Sequence, residues 1–146
     1  HHLHHPLLTY AGIGFRLLKR GAERAEGARA LRACAARPYW VFAMQMETDF
    51  SVRAYSRYGG MEEPLEETLR SFAAHAPAEA HLIVKVHPLD PCLKRWGWRL
   101  RALARRVGIA DRVHLAHHGA LDAMLAGARG LITVNSTVGL RAIVLN

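Results

Sequence analysis

A chain of 146 residues, 51% of them hydrophobic, fits one domain with a sizeable core and leaves no composition class but the ordinary globular one. Twenty Lys and Arg against 12 Asp and Glu give a net charge of +8, an excess that suits anionic partners: nucleic acid, phosphate-bearing small molecules or an anionic membrane surface. Two distant cysteines, Cys34 and Cys92, exclude a disulfide framework and make a reducing cytoplasm the default. No run approaches the roughly 18 apolar residues of a membrane span, and no apolar stretch follows a basic start as in a signal peptide.

The chain opens on His1, His2, His4 and His5, interrupted by Leu3 and Pro6, which reads as natural sequence and not as a metal site. No metal is expected anywhere. Residues 10–37 are rich in Ala and Arg and predict one or two basic helices, interrupted near Gly21 and Gly27 and stopped by Pro38. Residues 1–37 are expected to connect into a domain over 38–146. The last residues, with Val138, Leu140, Ile143 and Val144, read as a helix cut short at Asn146, so the chain is expected to be a piece of a longer protein, incomplete at that end.

Tyr39–Met44 is the first predicted strand, aromatic and β-branched between Pro38 and Gln45. A polar loop is expected from Gln45 to Tyr58. Met61, Leu65, Leu69 and Phe72 then recur at helical spacing. Glu62, Glu63, Glu66 and Glu67 crowd the first turns, where the helix dipole favours negative charge, and Pro64 is tolerated there. Strand His81–Val86 stops at His87-Pro88. A helix over 98–107 is capped by Gly108, strand Arg112–Ala116 follows, then a short helix near Asp122–Ala126 and strand Gly130–Val134, with Ser136-Thr137 opening a further helix.

This alternation predicts an α/β fold with a Rossmann-like parallel sheet. In such sheets ligands sit outside the carboxyl ends of the strands, so three post-strand loops hold the candidate residues. Asn135-Ser136-Thr137 can be an anion site at a helix N-terminus or an ordinary N-cap. His87, made rigid by Pro88, can meet a phosphate or ribose oxygen, or simply cap its own loop. Lys85 can reach the same edge. Gln45, Glu47, Thr48 and Asp49 are the third group, where paired carboxylates can act as acid and base or stay solvated. Basic clusters at 16–37 and 94–106 are anion-binding surfaces or solvated helix faces. No G-x-G-x-x-G, no G-K-[ST] loop and no nucleophile elbow is present. Nor is there a nucleic-acid-binding motif or an interleaving of aromatic with basic residues, so nucleic acid is not an expected partner.

Gln45-Met46-Glu47-Thr48-Asp49-Phe50-Ser51-Val52-Arg53, Val84-Lys85-Val86-His87-Pro88-Leu89-Asp90 and Val134-Asn135-Ser136-Thr137-Val138-Gly139-Leu140, in that order, resemble the bacterial capsule polysaccharide biosynthesis and export family. The family includes retaining β-Kdo transferases; His4-His5-Pro6-Leu7 and the basic stretch after it fit the same resemblance. It implies the nucleotide-sugar-binding half of a two-domain GT-B glycosyltransferase, with CMP-Kdo as donor and a glycolipid or oligosaccharide as acceptor. By that carry-over His87 contacts the cytidylate, Ser136 and Thr137 hold its phosphate, and Gln45 lines the same cleft; Lys85, Pro88 and Asn135 are expected to join them in binding the nucleotide. The catalytic acid lies in the other domain, so the isolated chain is expected to be inactive, and no cofactor is implied. The expected location is cytoplasmic, peripheral at the anionic inner membrane surface. Two other readings stay open: another GT-B-like transferase or sugar-nucleotide epimerase, and a non-catalytic capsule export or assembly factor.

Overall fold

Strand β1, Tyr39–Ala43, and strand β2, His81–Lys85, are buried along almost their whole length, as apolar runs in the middle of a parallel sheet must be. The computed structural model describes residues 20–46, 49–91, 93–119 and 121–135. Within them helix α1 (Arg20–Cys34) precedes β1, and helices α2 (Phe50–Tyr55) and α3 (Glu62–His75) lead to β2. Helix α4 (Trp96–Arg106) leads to strand β3 (Val113–Ala116), and helix α5 (Leu121–Leu125) to strand β4 (Gly130–Thr133). All strand pairs are parallel, in the order β3-β2-β1-β4. The predicted Rossmann-like alternation is therefore the observed architecture.

The two sheet faces are filled differently. Phe42, Leu82 and Val84 meet Leu65, Leu69 and Phe72 of α3 and Trp96, Leu100 and Ala104 of α4 in one apolar core. Val41, Ile83 and Ala116 meet Ala30 and Cys34 of α1 and Met124 and Leu125 of α5 in a smaller one. The Tyr39 hydroxyl donates to the Met124 carbonyl at 2.8 Å, tying β1 to α5 from within.

Two expectations need correction. The 45–58 stretch is not all loop: Phe50–Tyr55 is helical, turned inward by Val52, which is fully buried. One buried side chain leaves no apolar period to read. Helix α1 also runs unbroken through Gly21 and Gly27. A Cβ on Gly27 would collide with the carbonyl oxygen of His118, so this glycine marks a close approach of helix to loop, not a break. Within the segment expected to be a connector, α1 packs on β2 and β3 and covers one face of the sheet.

The basic run on α4 has structural partners. Arg99 bonds to Glu62, Lys94 Nζ lies 3.7 Å from the same carboxylate, and Arg106 Nη2 lies 2.5 Å from Glu66 Oε1. The glutamates at the start of α3 thus bind α4 as well as meeting the helix dipole. Gly108, at φ +76, ends α4 in the left-handed conformation expected of a glycine cap. Among the described residues no helix is long and apolar enough to cross a membrane.

Candidate functional site

The chain steps from β1 to β2 to β3 in one direction, then returns across the sheet to place β4 on the other side of β1. The order reverses at β1. The crevice outside the carboxyl ends of β1 and β4 is therefore the topological switch point, where open α/β sheets take their ligands. The loops after β1 and β4, which hold two of the three predicted groups, flank it.

Gln45, only 6% exposed, spans this crevice. Its Nε2 donates to the carbonyl of Asn135 at 3.2 Å and lies 3.5 Å from Asp49 Oδ2. Asn135 sits at φ +47, a conformation that asparagine tolerates better than most residues, and its side-chain amide donates to the carbonyl of Tyr55. Below this contact Thr133 Oγ1 donates to the Ala43 carbonyl at 3.3 Å. The two loops are thus joined by side chains as the strands beneath them are by the ladder. Glu47, Thr48, Ser136 and Thr137 lie outside the described residues.

His87 stands one strand away, at the end of β2. Its Nδ1 accepts the backbone N–H of Leu89 at 3.1 Å, which fixes the ring proton on Nε2. The N–H of Asp90 donates to the His87 carbonyl at 3.0 Å, closing a turn with Pro88 at its second position, where proline is favoured. Asp90 is buried and accepts the Trp96 indole N–H at 3.3 Å, anchoring the turn to α4. His87 therefore caps its own loop and is held rigidly by it.

Lys85 is 5% exposed. Its ammonium donates to the carbonyls of Val86 at 2.8 Å and His117 at 2.9 Å, so it braces the ends of β2 and β3 from beneath. That brace leads to a pair that no motif announces. His117, immediately after β3, places Nδ1 2.7 Å from Glu26 Oε2 of α1, and the same oxygen accepts its backbone N–H at 3.2 Å. Burial alone would raise the Glu26 pKa, but the bonds and charge of His117, with Arg29 nearby, outweigh it and hold the carboxyl below its usual range. The rule that points to the other post-strand loops also covers this one; only the partner, 91 residues upstream, escapes any local pattern.

The opposite edge of the sheet is also polar. The Arg37 guanidinium donates to His81 Nε2 at 2.9 Å, which leaves the His81 proton on Nδ1, 2.7 Å from His114 Nε2. Burial, then the positive charge of Arg37, lowers the His81 pKa; burial and His81 lower that of His114. Burial pushes the neighbouring Cys34 thiol up to about 11.

A cleft of about 690 Å³ runs over β1 and β4 on the α3 side, lined by Trp40, Phe42, Tyr58, Phe72 and Ile132 and reaching Asn135 at one end. Most of its lining comes from α3 and the segments that flank it, with β1 and β4 as the floor. Topology, not cavity size, marks the switch point as the candidate site.

The sequence family described as "Capsule polysaccharide biosynthesis protein" matches residues 1–146. The chain is 28% identical over 108 residues to the capsule polysaccharide export protein KpsS of Escherichia coli, a match covering 74% of this chain and 28% of that protein. It is 30% identical over 109 residues to the capsule polysaccharide modification protein LipB of Neisseria meningitidis serogroup A, covering 74% of this chain and 26% of that protein. The serogroup B LipB matches to the same extent. The chain thus corresponds to little more than a quarter of these relatives' length. No solved structure matches it.

Proposed function

The chain belongs to the capsule polysaccharide biosynthesis family, and from that premise we propose that it is the donor-binding part of a GT-B glycosyltransferase, with CMP-Kdo as donor. The observation that carries the reading is the Gln45–Asn135 bond across the switch point. It joins two of the three resemblance motifs where a Rossmann-like sheet takes its nucleotide.

In this reading the rigid His87 directs its Nε2–H at the cytidylate, with Pro88 holding the turn. Ser136 and Thr137, next along from Asn135, hold the phosphate with hydroxyl and backbone N–H donors. Buried Lys85 supplies positive charge beneath the edge while its hydrogen bonds keep the loops in register. The net charge of +8 favours an anionic donor, a glycolipid or oligosaccharide acceptor and the cytoplasmic surface of the inner membrane. Catalytic groups belong to another part of a longer protein, so this chain alone binds without transferring.

A second reading, a non-catalytic export or assembly factor, is favoured by one structural feature: Gln45, Lys85 and His87 all bond to backbone groups of the protein itself. Calorimetric titration of the chain with CMP, UMP and ADP at low salt separates the two. Binding of CMP in preference to the others, weakened at least about tenfold by Gln45→Ala or His87→Ala, supports the donor reading; about tenfold corresponds to one lost hydrogen bond of roughly 1.4 kcal/mol. A preference for UMP moves the assignment to another GT-B-like transferase or epimerase. No binding by this chain, nor by a longer protein carrying the remaining sequence, leaves the assembly factor.

A further inference from the structure

At the edge of the sheet away from the switch point, three metal-ligating side chains converge from three elements. Cys34 ends α1 and is fully buried, His81 opens β2 and is 4% exposed, and His114 lies in β3. The parallel register sets His114 opposite Ile83, two residues along from His81, so both rings project to the face covered by α1. The Cys34 sulfur and one ring nitrogen from each histidine lie within 4.8 Å of one another. Around a zinc ion, with bonds of roughly 2.0–2.3 Å, tetrahedral ligands stand about 3.3–3.8 Å apart. Shifts of about 1 Å or less per donor close the set.

We propose that Cys34, His81 and His114 form a Zn(II) site that locks the C-terminal end of α1 to β2 and β3. One thiolate and two imidazoles suit zinc, and three protein ligands leave a fourth position for water. The site also supplies what α1 lacks. Among the described residues of this helix Ala30 and Cys34 enter the buried apolar cluster, with Leu31 against it, and the polar tie of Glu26 to His117 lies at mid-helix, so a tie at the C-terminal end is what the ion adds.

Arg37 is the gate. A neutral imidazole has one lone pair, and that of His81 is used at Nε2 by the Arg37 guanidinium, with the proton on Nδ1 toward His114. An ion between the rings takes Nδ1 of His81 and Nε2 of His114. The His81 proton moves to Nε2, which then no longer accepts from Arg37, and the Cys34 thiol releases its proton to solvent. One proton leaves per ion bound. Arg37 is exposed, so its guanidinium can turn to water, opening a route to the site. Guanidinium and metal therefore compete.

The test is titration of the metal-free chain with Co(II), whose thiolate-to-metal charge-transfer absorption reports a sulfur ligand, followed by displacement with Zn(II). The expected result is one equivalent of cobalt giving that band, lost in Cys34→Ser, kept in Cys92→Ser and erased by zinc. Arg37→Ala, at an exposed position, is expected to tighten cobalt binding about tenfold, since one charge-assisted hydrogen bond no longer opposes it. Absence of a sulfur band overturns the proposal, and so does a band that survives Cys34→Ser. Cobalt held only by His1, His2, His4 and His5 gives no sulfur band and counts against it. Unchanged cobalt affinity in Arg37→Ala contradicts the gate even if Cys34→Ser fails to fold.

Discussion

The face of the sheet under α3 and α4 and the face under α1 and α5 share the same four strands, yet they are held by different physics. Under α3 and α4 the contacts are a continuous apolar core, with ion pairs confined to its solvent side. Under α1 the strands alternate hydrophobic and ionisable residues, and β2 places His81, Ile83 and Lys85 on this side while Leu82 and Val84 face the other. Helix α1 is held at mid-length by Glu26 on His117 near the carboxyl end of β3, and at its C-terminal end Cys34 lies beside His81 and His114. Apolar packing supplies most of the stability on the first face. On the second, buried polar groups specify where one helix lies, and they act only while fully partnered.

That contrast can be broken by mutation. The largest expected effect is at Leu69, fully buried between α3 and the sheet: Leu69→Ala is expected to lower unfolding free energy by about 3 kcal/mol, through transfer and cavity costs together. Denaturant unfolding with an unchanged m-value checks it. Gly27→Ala follows. Alanine gains nearly 1 kcal/mol of helix propensity, but its methyl would collide with the His118 carbonyl oxygen, and overpacking of about 1–3 kcal/mol wins. The clash is with backbone, so the upper end of that cost applies and the expected net loss is about 2 kcal/mol, with slackened amide-exchange protection in α1 and unchanged protection in α3.

The smallest effect is in the acid limb. Glu26 titrates below its ordinary 4.5 in the folded chain, so the unfolded chain binds more protons as pH falls through and below that value. Its contribution is fully present above pH 4.5 and is lost as pH falls to the lowered folded pKa. Glu26→Gln is expected to flatten the stability profile below pH 4.5, leaving its slope above that pH unchanged, as read from Tm against pH. An unaltered acid limb contradicts a clamping role for Glu26.

The same contrast explains which elements are legible in the amino-acid sequence. Strands β1, β2 and β4 stand out as apolar runs, and α3 by the recurrence of Met61, Leu65, Leu69 and Phe72, because burial against a uniform apolar surface writes a period into the chain. Helix α2 has one such residue, Val52, and writes none. Gly27 looks like a breaker because the His118 carbonyl it accommodates is far away in sequence. Of the site, the post-strand loops are legible from the position of each motif after a strand. The meeting of Gln45 with Asn135 requires the strand order. The Glu26–His117 and Cys34–His81–His114 groupings are tertiary coincidences of residues without motif spacing, which no local pattern reports.

Donor binding at the switch point is decided by where the nucleotide lands. Titrating the isotopically labelled chain with CMP and following backbone and side-chain amide shifts by NMR tests this most directly. The largest shifts are expected at the Gln45 side-chain amide, His87, Asn135 and the residues just after it, with His81 and His114 unmoved. Shifts confined to Trp40, Tyr58 and Phe72 in the flank cleft, or to the Cys34 end of α1, would contradict it.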